Sequence, residues 1–174
     1  MQILKGSDGV EIWDILDENG NKKNRTIVRG EELQEGDYHL VVHIWILNNK
    51  NEFLIQKRAE HLKLMPGMWA TSGGSAVQGE DSLTAAVREV KEELGVDVDL
   101  ANFTKIGTIK RKDNIADIWL ARQNILLEHV KMQVEEVSEV MWASKEIIEG
   151  KLSEGVFHNY GEDYFQRIFG LMKK

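Results

Sequence analysis

Three glutamates, Glu89, Glu92 and Glu93, stand at relative positions i, i+3 and i+4 in the stretch TAAVREVKEELG. In a helix that spacing brings their carboxylates to one face. Like charges so placed oppose one another by roughly 0.2–0.5 kcal/mol per pair, so the pattern works against the helix and asks for a cation. Hard divalent cations are held by oxygen ligands of this kind. Just upstream, Gly73 and Gly74 let backbone approach a ligand closely or supply a positive φ. A small basic group, Lys57 and Arg58 with His61 and Lys63, precedes the glycines; it reads either as a solvated edge or as a phosphate contact.

The elements that must position these residues are legible from periodicity and capping. Asp81 or Ser82 can cap a helix that Gly95 ends at its C′ position. Leu83, Ala86, Val87, Val90 and Leu94 form its apolar stripe, and the glutamates are expected to lie away from that stripe, towards solvent or a cleft. Residues 38–47 and 52–58 are β-branched and aromatic and flank a turn at 48–51, the strongest hairpin in the chain. A first hairpin is expected from strand 10–16, the turn at Asn19-Gly20 and a short return at 26–28. Further strands are expected at 69–71, 103–111, 117–125 and 137–142. A helix capped by Ser144 should stop at Gly150, and a terminal amphipathic helix should cover 161–174. Strands outnumber helices and the hairpins imply largely antiparallel pairing, so the class is α+β, a mixed sheet with packed helices. Trp45, Trp69, Trp119 and Trp142 are read as core rather than as base-stacking platforms.

Composition narrows the function. The chain has 174 residues, enough for one domain with a real core. A net charge of −7 argues against a nucleic-acid coat or an anionic membrane as the main partner. A small polyphosphate remains compatible, since a metal and a few local cations can reverse the field in one cleft. The absence of cysteine removes disulfides, thiolate metal sites and cysteine nucleophiles together. The first residues are too acidic for a signal peptide and no apolar run approaches a bilayer span, so a cytoplasmic location is expected.

Gly74, then Glu80 six positions on, then Arg88-Glu89-Val90-Lys91-Glu92-Glu93-Leu94-Gly95-Val96 resembles the Nudix box at every fixed position. Seven such identities would arise by chance in roughly one in a million sequences of this length. The flanking hairpin, the PGMW turn and the segment EEVSEVMWASKEI also resemble the order of parts in that family. The resemblance implies a single Nudix domain over 1–174: a mixed, mostly antiparallel sheet packed between helices, the box at 74–96, and residues 1–37 as an N-terminal hairpin extension. It implies hydrolysis of a nucleoside diphosphate linked to another group, using Mg²⁺ or Mn²⁺, with a small pyrophosphate compound as the partner. Glu92 and Glu93 are implied metal ligands, the Gly73 carbonyl a further one, and Glu89 either a ligand or the base. Arg88 is implied to orient the catalytic glutamate and Glu80 to brace the loop, with Gly74 and Gly95 structural. Glu135 or Glu136 could supply a carboxylate from outside the box. Family members often pair, so a homodimer is compatible.

Two other readings carry weight. The hairpin extension, the QKR strand ending and the PGMW turn resemble isopentenyl-diphosphate isomerases, which share the fold but need a cysteine this chain lacks. A non-catalytic binding module of the same fold would be expected to have lost a box glutamate, and none is missing.

Overall fold

The structure, a computed structural model, describes residues 10–172. Most of the stretch read against a signal peptide, and the last two residues of the expected terminal helix, lie outside them. β1 (Ile12–Leu16) and β2 (Lys22–Val28) form a separate two-stranded antiparallel sheet. The return strand is longer than the expected 26–28. Asp17 accepts the backbone N–H of Asn19 and Asn21 at 2.8 and 2.9 Å, which tightens the turn so that Leu16 already pairs with Lys22.

The main sheet holds seven strands: β3 (His39–Leu47), β4 (Phe53–Arg58), β5 (Trp69–Ala70), β6 (Ser72–Ser75), β7 (Phe103–Lys110), β8 (Asn114–Arg122) and β9 (Val137–Ala143). Among the described residues, three α-helices accompany them: α1 (Ser82–Leu94), α2 (Lys145–Ser153) and α3 (Glu162–Phe169). The backbone order is β5-β4-β3-β8-β7, with β6 also on β3 and β9 also on β4. Every pairing is antiparallel except the central one, β3 with β8, which is parallel over nine residues from His39–Asn114 to Leu47–Arg122. The sheet is therefore mixed, as expected. The parallel register brings the start of β3, the end of the β7–β8 turn and the beginning of the box together at one end.

One edge of β3 is shared. β4 pairs with it at Ile46 and Leu47, whereas β6 takes residues Val41 to Ile44. The glycine pair, read from sequence as a close approach or a positive φ, is the middle of a strand, so close approach is its role. A β-carbon on Gly73 would collide with the Val42 carbonyl, so this position must be glycine for β6 to lie this close to β3, and one on Gly74 would displace the Glu89 carboxylate.

Side-chain alternation along β3 divides the core. Val42, Ile44 and Ile46 face α1 with Leu54, Val90 and Leu94. Trp45 and Leu47 face α2 and α3 with Phe53, Ile55, Phe157, Phe165 and Ile168. Trp45 and Trp69 are core residues, and Trp119 and Trp142 pack half-buried against it. α2 passes through Gly150, whose backbone stays helical, and the left-handed glycine after it is Gly155, φ 72°. Among the described residues, no helix is long and apolar enough to cross a membrane.

Candidate active site

α1 is set in place by both ends. Asp81 Oδ1 accepts the Thr84 N–H at 2.8 Å, and Gly95, at φ 67°, donates its N–H to the Lys91 carbonyl at 3.0 Å. Between the caps, Ala85, Ala86, Val90 and Leu94 are buried, while Leu83 and Val87 are only half-buried. The buried arc is rotated from the stripe expected, and the rotation carries Glu89 and Glu93 inwards. Their relative exposures are 8% and 2%. They do not point away from the core; they face it, beneath β6.

Glu93 Oε2 accepts the Gly73 N–H at 3.2 Å, and the Glu93 carboxyl also bonds the Gln56 side chain, whose Oε1 accepts from Ser72 Oγ at 2.9 Å. Glu89 Oε1 receives Arg88 Nη1 at 2.9 Å. Burial pushes the Glu89 carboxyl up to about 7 against the opposing Arg88 charge, and Glu92 and Glu136 add to the rise. Burial, then the Glu89 charge, pushes Glu93 well above the usual carboxylate range. Glu92 has a different setting. Its side chain is 28% exposed, and Oε2 receives Arg88 Nη1 at 3.1 Å.

Arg88 links the whole motif. Besides Glu89 and Glu92 it holds both oxygens of Glu80, at 2.7 and 3.0 Å, and the Ser75 carbonyl at 3.0 Å. Glu80 in turn accepts the Val77 N–H at 2.9 Å. The loop, β6 and the helix are therefore locked by one guanidinium, whose five N–H groups suit several acceptors at once.

Several neighbours come from outside the box. Glu136, just before β9, exerts its charge on Glu89 and Glu93. Arg58 bonds the Leu64 carbonyl through Nε at 3.0 Å and acts electrostatically on His158 and Tyr160, and Tyr160 feels Glu93. Lys57 instead pairs with Glu60 at 3.7 Å. Arg111, in the β7–β8 turn, acts electrostatically on His43, His158, Tyr160 and Tyr164. Gln56, Arg111, His158 and Tyr160 had no signal in the sequence, because none belongs to a local pattern.

Among the described residues, no three carboxylate or imidazole side chains already close around one point that could hold an ion. The donor set nevertheless fits a hard divalent cation. Two carboxylates are buried side by side with a third in their field, all oxygen donors, and like charges in a low-dielectric setting are unfavourable unless a cation joins them.

The NUDIX domain model matches residues 37–159. The chain belongs to the Nudix family. It is 41% identical over 152 residues to an uncharacterized Nudix hydrolase of Listeria innocua, covering 87% of this chain and 90% of that protein. It is 33% identical to Nudix hydrolase 3 of Arabidopsis thaliana, over 83% of this chain and 20% of that longer protein. Among solved structures, DR0079 from Deinococcus radiodurans superposes with a TM-score of 0.74 at 18% identity, covering 94% of this chain and all of that one. The Nudix domain of Shewanella oneidensis NrtR, crystallised with ADP ribose, gives 0.57 at 15% identity over 75% and 86% of the two chains; both likenesses concern the fold. This Nudix hydrolase therefore acts on pyrophosphate-containing small molecules, and enzymes of its family generally use divalent metal ions.

Proposed function

We propose that this Nudix hydrolase cleaves a pyrophosphate bond in a nucleoside diphosphate joined to a second group, with Mg²⁺ or Mn²⁺ as cofactor and the cytoplasm as its compartment. One observation supports the reading most: the buried Glu89–Glu93 pair beneath Gly73, with Glu136 in the same field, on the helix of a complete box. Glu93 and Glu136 would hold the metal, with the Gly73 carbonyl; Glu89 would be a further ligand or the base, and Glu92 would join by turning from Arg88. When bound, the cation neutralises phosphate charge and lowers the pKa of water.

The chain's own residues supply the rest. Water oxygen bonds to phosphorus as the bridging P–O bond breaks; the bond's electron pair leaves with the departing phosphate oxygen. Glu89, oriented by Arg88, accepts the water proton or serves as a further ligand. Gln56 and the Gly73 N–H hold Glu93 in one rotamer. Of the two cations at the end of β4, Arg58 would take the phosphate; the pairing of Lys57 with Glu60 supports this reading. The hairpin extension, the sheet and the terminal helix act in this reading as one catalytic unit. The isomerase reading lacks its cysteine.

The test is a screen of pyrophosphate compounds, ADP-ribose among them, for phosphate or nucleotide release with Mg²⁺ and Mn²⁺. Turnover that stops with EDTA is expected. Turnover of no compound, or full turnover in EDTA, would reject the assignment, and isomerisation of isopentenyl diphosphate would restore the rival.

A further inference from the structure

The β1–β2 hairpin precedes residues 37–159, yet it is stitched to the box loop. Gln78 donates its N–H to the Ile12 carbonyl at 2.8 Å, and Gly79 donates to Asp14 Oδ2 at 2.8 Å. Leu16 and Tyr38 exchange backbone hydrogen bonds at 2.7 and 3.0 Å, tying the hairpin to the start of β3. The ring of Trp13 stacks on His39 with centroids 4.1 Å apart and planes 8° from parallel. The loop that Glu80 braces against Arg88 thus also fixes the hairpin.

The hairpin's cations are not equivalent. Lys22 is bound by Asp14 at 2.7 Å, and Asp37 takes Lys23 at 2.6 Å and two bonds from Arg25 at 2.7 Å each. Arg29, directly after β2, has one ion pair, Nη1 to Glu11 Oε2 at 2.6 Å. Its backbone N–H also bonds the Glu11 carbonyl at 2.9 Å. The other Glu11 oxygen is occupied by Trp13 Nε1 at 2.7 Å. The carboxylate is therefore fixed by two donors, and it positions a guanidinium with further N–H groups in hand and 61% of its side chain exposed. The Gln78–Ile12 and Gly79–Asp14 bonds carry this end of the hairpin to the loop that Glu80 braces, and the charges of Glu136 and Glu89 act on Arg29 in the same sense as that of Glu11, against the opposing effect of burial. An exposed ion pair contributes at most about 1 kcal/mol, so stability gives this arrangement little reason. A planar fork of donors beside a pyrophosphate site has a clear use, since it matches phosphate oxygens two at a time.

We propose that Arg29 is a substrate-binding residue that grips a phosphate of the bound pyrophosphate group from outside the Nudix core. Glu11 and Trp13 are its positioning residues. The inference rests on the hydrolase reading above, because it presumes that the carboxylates mark the pyrophosphate site. It makes the hairpin part of the cleft, supplying an arm that the box helix and the main sheet do not.

The experiment compares wild type with Arg29→Ala, Arg29→Lys and Glu11→Gln in two assays. One is steady-state kinetics on any compound found in the screen; the other is calorimetric titration with methylenediphosphonate, a non-hydrolysable pyrophosphate, in Mg²⁺. Arg29→Ala should raise KM and the methylenediphosphonate Kd about tenfold or more. Its kcat and melting temperature should stay near wild type, Arg29→Lys should recover part of the binding, and Glu11→Gln should show a smaller rise. Unchanged KM and Kd would overturn the proposal, as would a rise that tracks a loss of melting temperature and is not relieved by lysine. If wild type turns over nothing, the hydrolase reading fails, while the titration still decides whether Arg29 binds the pyrophosphate.

Discussion

Glu93 and Glu92 are neighbours on one helix, yet they occupy different environments. Glu93 is 2% exposed, bonded to a backbone N–H and an amide, and pushed towards neutrality by burial. The Glu92 side chain is 28% exposed and paired with Arg88. The difference teaches that a carboxylate's use is set by what surrounds it. A buried charge facing another buried charge is destabilising until a cation joins it, whereas an exposed, paired one is at ease without it.

The sharpest test is Glu93→Gln, which keeps shape and removes the charge. Turnover should fall by about three orders of magnitude or more, while melting temperature without metal should not fall. The rise in melting temperature that Mg²⁺ gives wild type should also disappear. A variant with full activity would break the comparison.

Leu94→Ala, one residue further along, should do the reverse. Leu94 is among the fully buried core side chains. Its truncation should lower unfolding free energy by about 2–5 kcal/mol in urea titrations, with kcat at saturating substrate nearly unchanged at a temperature where the protein stays folded. A large loss of kcat in the folded variant would show that packing and chemistry on α1 are not separable.

Glu92→Gln should have an intermediate effect, a fall in kcat of about tenfold. A loss equal to that of Glu93→Gln would show that the two glutamates are ligands of equal weight.

The smallest effect concerns a buried group that stays neutral. Burial, with Arg111 and His158 adding to it, lowers the pKa of His43 to about 3, and its Nδ1 lies 3.1 Å from Tyr164 Oη. The unfolded chain takes up this proton near pH 6.5, the folded one near 3. Stability is therefore fully present above 6.5 and declines as pH falls towards 3. The urea midpoint should be lower at pH 5 than at pH 7, and His43→Gln should reduce that difference. An equal difference in the variant would show that other groups carry it.

What the sequence determined by itself was local. The caps Asp81 and Gly95, the hairpin across 48–51 and the seven box identities are contained within short windows, so periodicity and turn chemistry suffice to read them. They located the three glutamates and identified the family. Tertiary structure decided what these windows cannot contain. It turned Glu89 and Glu93 inwards and left Glu92 at the rim, because the rotation of α1 depends on which strands it packs against. It made the glycine pair a strand, because β3 offered an open edge where β4 diverges. It set Glu136 in the electrostatic field of Glu89 and Glu93, and the Gln56 side chain beside Glu93, from elements that sequence spacing does not connect. The physical reason is the same in each case: the side-chain period of an isolated helix or strand fixes which residues share a face, and only packing fixes where that face points.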